Sequence, residues 1–128
     1  MTSKPAPRPA PQRIRAILHD LLEATPYLKA VAVVRVNGLT VQALMPPEIP
    51  EEKVSAMSAV MLLLGERITD AMHTGALDKV YIQSKEGHII MMSVGSEAVL
   101  TVQASARAPL GLLFVEMRRA ANKLKRIV

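Results

Sequence analysis

The stretch from Glu51 to Gly75 is the feature that most restricts what this chain can become. Val54, Met57, Met61, Leu64, Ile68 and Met72 recur in steps of three and four, which is the spacing of one helix face. Ala56, Ala59, Leu62 and Leu63 project to another side at 100° per residue. A helix that covers one monomeric core needs one apolar face. Here two faces require cover, and the second is built mostly from short side chains.

The flanking segments supply the sheet that such a helix must lie on. Lys29 to Leu44 reads as a hairpin, because Asn37-Gly38 separates two β-rich runs and both turn residues tolerate positive φ. Val31, Val33, Val34 and Val36 leave little polar alternation, so the first strand is expected at the centre of a sheet covered on both faces. The second strand alternates and suits an edge. Met45 to Pro50 holds three prolines and reads as a loop, with Glu51 and Glu52 placed to complement the positive end of the helix. Gly75 is a candidate for its C-terminal stop. Three further strand-like runs follow: 79–83, 88–94 and 98–104. The turns between them, Lys85-Glu86-Gly87 and Gly95-Ser96-Glu97, are too short for anything but antiparallel neighbours.

Two more helices frame this core. Ile14, Ile17, Leu18, Leu21 and Leu22 make one amphipathic face between Gln12 and Ala24, ended by Pro26. Leu110, Leu113, Phe114, Met117, Ala121, Leu124 and Val128 make the face of a last helix that starts at Pro109. The order helix, two strands, helix, three strands, helix predicts an α+β domain. It is a three-layer α/β/α arrangement around a five-stranded antiparallel sheet. Residues 1–11 carry prolines at 5, 7, 9 and 11 and are assigned to a disordered tail, leaving 12–128 as one domain.

Chemistry is sparse. The chain has no cysteine, which removes disulfides and thiolate metal sites and is compatible with a cytoplasmic setting. No phosphate-binding Gly-rich loop, nucleophile elbow or His-Glu-x-x-His motif occurs. No catalytic, cofactor-binding or metal-binding residue is assigned, and the chain is not expected to be an enzyme. His19, His73 and His88 lie on unrelated elements. Glu66 and Asp70, one turn apart, read as a solvated pair. The eight methionines read as core filler before they read as the lining of a ligand pocket. Net charge is +5, concentrated at the two ends. Arg118, Arg119, Lys123, Lys125 and Arg126 sit in the last eleven residues. A solvated helix face that also suits the negative end of the helix dipole is the favoured reading of that cluster. DNA binding is not expected, since Tyr27, Tyr81 and Phe114 form no visible stacking platform. Membrane contact is the less favoured alternative.

Particular residues carry a family likeness. The segment from Val31 to Val41 resembles the first hairpin of the roadblock/dynein light chain family, with Asn37 where that family often has an acidic residue. The runs Val80-Tyr81-Ile82 and His88 to Met92 resemble its third and fourth strands, Val94 to Leu100 its next turn, and Leu110 to Ala121 the entry to its last helix. The likeness extends from about Gln12 to Val128. It implies the profilin-like strand order 2-1-5-4-3 and a homodimer in which strand three pairs with its copy while the long second helices meet. It also implies a non-catalytic regulator or scaffold of a small Ras-like GTPase, some relatives stimulating GTP hydrolysis.

On that likeness, Val54, Met57, Met61, Leu64, Ile68 and Met72 are expected to cover the sheet, and Ala56, Ala59, Leu62 and Leu63 to meet partners. Ser55, Glu66, Arg67 and Asp70 form the expected polar rim, with Arg67 in a rim salt bridge rather than acting as an arginine finger. Val80, Tyr81, Ile82 and Gln83 form the expected self-pairing edge. The alternative functions are a small-molecule sensor and a basic membrane or nucleic-acid adaptor.

Overall fold

The computed structural model describes residues 8–128. Its elements are α1 (Ala10–Ala24), β1 (Leu28–Arg35), β2 (Thr40–Leu44), α2 (Glu51–Ala71), β3 (Lys79–Ser84), β4 (Gly87–Val94), β5 (Ala98–Ser105) and α3 (Leu110–Lys125). The five strands form one antiparallel sheet in the order β2-β1-β5-β4-β3. Most of the expected tail, residues 1–7, lies outside the described residues. The first helix begins two residues before the expected boundary. Pro11 fits inside its first turn because the leading N–H groups of a helix have no intrahelical acceptor.

The valine-rich run does become a strand covered on both faces. Residues 30–34 of β1 are all buried, between β2 and β5. Asn37 and Gly38 close the first hairpin, Gly38 with φ of 92° and Asn37 Oδ1 accepting from the Leu39 amide at 3.1 Å. A bulge between Val33 and Val34 lets the short edge strand β2 follow the curvature of β1.

Alternate side chains serve opposite faces of the sheet. Val31, Val33, Ile90, Met92, Leu100 and Val102 meet Leu18 of α1 and Leu113, Met117 and Leu124 of α3. Met91 and Val99 point the other way and meet Leu62 of α2. Two helices therefore cover one face and a single helix crosses the other.

The helix α2 lies on the sheet by a different side from the one its strongest apolar periodicity suggests. Ser55, Ser58, Ala59 and Leu62 are buried, whereas Met57, Leu64, Ile68 and Met72 are exposed. Ser55, Ala59 and Leu62 are thus not on the outward surface, and the stripe expected to cover the sheet is largely in solvent. Size is the physical reason. The small residues let the helix backbone come close to its own strands. At Gly65 an added Cβ would stand 3.0 Å from Leu77 Cδ2 and 3.1 Å from Val80 Cγ2. The two serines are polar yet satisfied. The Ser58 hydroxyl donates to the Val54 carbonyl at 2.8 Å, and the Ser55 and Thr40 hydroxyls bond to each other.

The end of α2 also differs from expectation. The stop falls at His73, which takes the left-handed conformation with φ of 58°, two residues ahead of Gly75, whose φ of 93° is positive as well. The His73 amide donates to the Asp70 carbonyl at 3.2 Å and the Thr74 amide to the Thr69 carbonyl at 3.0 Å, the paired bonds of a Schellman stop.

Candidate protein-interaction surface

The surface is built by α2 and the outer strand β3. Once the small-residue side of α2 is on the sheet, Met57, Val60, Leu64 and Ile68 align outward in steps of three, four and four. Val60 is 62% exposed and Ile68 51%. Leu63, 50% exposed, lies on the flank of that stripe, and Met72 extends it past the end of the helix. Ala56, Glu66, Arg67 and Asp70 are exposed as expected. The residues that pattern reading missed are Val60 and the outward role of Met57, Leu64 and Ile68. The signal was present in the positions of Ser55, Ser58, Ala59 and Gly65, which trace one narrow face of small side chains around Leu62.

The second component is β3, which among the described residues pairs only with β4. Val80 and Ile82 turn toward the α2 side of the sheet, where both are half-buried. Tyr81 turns to the opposite side. Its hydroxyl shares a 2.7 Å hydrogen bond with Nδ1 of the buried His88, whose Nε2 lies 3.3 Å from the Ala106 carbonyl oxygen. The Phe114 ring meets Tyr81 edge-on at 6.2 Å and carries the Lys79 ammonium 4.8 Å from its centre. His88 thus ties the strand to the loop before α3. Gln83 is exposed. Among the described residues, the outer backbone edge of β3 has no strand paired to it and so offers free donors and acceptors.

The structure does not bring the histidines together. His19 is exposed on α1 and lies 3.6 Å from Glu23, with Asp20 beside them, and all three are solvated. An apolar cavity of about 220 Å³ opens between the loop before α2 and the sheet, lined by Met45, Ile49, Val54, Ile89, Thr101 and Gln103. Met45 is the one methionine in its wall, whereas Met91, Met92 and Met117 fill the core. Thr101 Oγ1 is buried with no hydrogen-bond partner among the described residues.

An apolar stripe on the second helix, an open third strand and the order β2-β1-β5-β4-β3 meet in one chain, and the Roadblock/LC7 domain profile matches it over residues 15–104. The chain belongs to the Roadblock/LC7 domain family. An uncharacterized protein of Methanocaldococcus jannaschii is 32% identical over 104 residues, covering 81% of this Roadblock/LC7 chain and 90% of its own length. A structure of MglB with a tetrameric arrangement superposes with a TM-score of 0.85 at 18% identity, covering 99% of this chain and 96% of that one. The gliding protein MglB of Thermus thermophilus gives 0.84 at 17% identity, with 99% and 97% covered. At these identities the two structures speak for the fold of this Roadblock/LC7 domain. No described helix is long and apolar enough to cross a membrane.

Proposed function

We propose that this protein is a non-catalytic, cytoplasmic homodimer that binds a small Ras-like GTPase as regulator or scaffold. The observation that carries the proposal is the outward apolar stripe Met57-Val60-Leu64-Ile68 on a helix that already covers its own sheet with another side. A soluble monomer rarely leaves such a row in water without a partner. Membership of a family whose members regulate or anchor Ras-like GTPases supports the identity of that partner.

In this reading a second copy pairs along β3 and brings its α2 alongside the first. The self-pairing satisfies the open edge at Val80, Tyr81, Ile82 and Gln83 and buries part of the stripe. The remainder, with Ala56 and Leu63 and the charged Glu66, Arg67 and Asp70, meets the GTPase. The protein's contribution to hydrolysis, where it makes one, is to order the GTPase's own groups, as expected of a non-catalytic regulator.

Two measurements test it. Leu63→Asp and Ile68→Asp, made separately, should leave the fold intact by circular dichroism. Each should reduce either self-association by sedimentation or retention of a GTP-analogue-loaded Ras-like GTPase in pull-down. Unchanged behaviour in both assays would remove α2 as the contact surface. Because the chain has no cysteine, single substitutions at Val80, Tyr81, Ile82 and Gln83 to Cys can map the edge. Oxidation should crosslink at least one of them across the two-fold, where paired Cβ atoms approach to about 5 Å. A second reading, small-molecule sensing, rests on the apolar cavity beside Thr101. A thermal-shift screen with metabolites, repeated on Thr101→Val, separates it from partner binding.

A further inference from the structure

The two helical layers carry opposite charge. On α2, Glu51, Glu52, Glu66 and Asp70 outnumber Lys53 and Arg67. On α3, Arg118, Arg119, Lys123 and Lys125 face Glu116 alone, and Arg126 follows. Part of this cationic set is already engaged. Arg118 pairs with Asp78, and Arg119 with Glu116 at 3.2 Å. Among the described residues, Lys123, Lys125 and Arg126 form no ion pair.

The outward side of α3 is not only basic. Leu112 and Val115 are 54% and 52% exposed. At 100° per residue they fall on the same stripe as Arg119, Lys123 and Arg126, opposite the buried Leu113, Met117 and Leu124. Apolar residues in the first half and free cations in the second half give this helix the composition of an interfacial element. Its apolar residues suit the headgroup boundary and its cations suit anionic headgroups. Nucleic acid fits less well, since it would leave Leu112 and Val115 unused and the stripe has no aromatic ring for a base.

We infer that the outward face of α3 docks the protein on a membrane surface rich in anionic phospholipid. Contact is peripheral, because no described helix can cross a bilayer. The acidic α2 lies on the opposite face of the sheet, so docking by α3 leaves the proposed protein-binding surface turned to the solvent. The inference does not depend on what α2 binds.

The test is co-sedimentation of the full chain with phosphatidylcholine vesicles, with and without phosphatidylglycerol. Binding should require phosphatidylglycerol and fall steeply with salt. Each cation near an anionic leaflet contributes about fivefold to partitioning. Lys123→Gln/Arg126→Gln, the two unpaired cations of the stripe, should therefore lose roughly 25-fold. Leu112→Gln/Val115→Gln should weaken binding by roughly tenfold or more, with the salt dependence kept. All four positions are exposed, so circular dichroism should be unchanged. No binding to phosphatidylglycerol vesicles at low salt overturns the inference. So does vesicle binding that survives Leu112→Gln/Val115→Gln undiminished while duplex DNA competes for it, because the patch is then a general polyanion site.

Discussion

The two faces of the sheet are finished to different degrees. On one, α1 and α3 seat Leu18, Leu113, Met117 and Leu124 over a continuous layer of strand residues, all fully buried. On the other, α2 contributes Leu62 to a small cluster with Met91 and Val99 and leaves its larger side chains in solvent. The first face is complete within one chain. On the second, small residues hold the helix close and its bulky side stays exposed, the side that the proposed association would cover. The difference separates residues that hold the fold from residues available for association, although both kinds are apolar and interleaved along one sequence.

Substitutions can break or sharpen this contrast. The largest effect is expected for Met117→Ala, which opens a cavity under α3. It should cost about 3 kcal/mol in urea unfolding at any protein concentration. Gly65→Val forces a branched side chain against Leu77 and Val80. It should lift α2 from β3 and cost about 2 kcal/mol. Ser55→Ala removes the bond to Thr40, a loss of about 1 kcal/mol. The smallest effect on unfolding is expected for Ile68→Ser, within about 0.5 kcal/mol when the protein is dilute. That variant should nevertheless weaken self-association or GTPase retention. If Ile68→Ser unfolded the dilute protein as readily as Met117→Ala, the second face would be as self-sufficient as the first.

Much of the architecture was readable from local chemistry. Asn37-Gly38, the short turn at Gly95, and the prolines at 26, 50 and 109 punctuate the chain where the elements change. The unalternating valines announced a strand covered on both faces. The strand order was not readable this way, since hairpins say which neighbours pair but not that β1 meets β5; it came from the family likeness. The face of α2 was not readable from periodicity either. A helix apolar on two sides has two solutions of similar hydrophobicity. The choice is made by how closely a backbone can approach a sheet, which favours Ser55, Ser58, Ala59 and Gly65 over Met57, Leu64 and Ile68. The stop at His73 shows a similar limit. Glycine is the preferred left-handed residue, but local hydrogen bonds to Asp70 and Thr69 hold a histidine there.

The central pairing of β1 with β5 has a consequence for how the molecule is made. Leu28 pairs with Ala104 and Arg35 with Ala98, so the middle of the sheet joins the first strand to the last. During synthesis the hairpins β1–β2 and β3–β4 can form early, from neighbours in sequence, but each keeps one apolar edge waiting. The two halves become one sheet only when β5 emerges and inserts between β1 and β4. Such long-range closure is slow compared with hairpin formation. Until it happens, the valines that β1 buries in the finished sheet stand on an unpaired strand, the kind of surface that favours aggregation over folding.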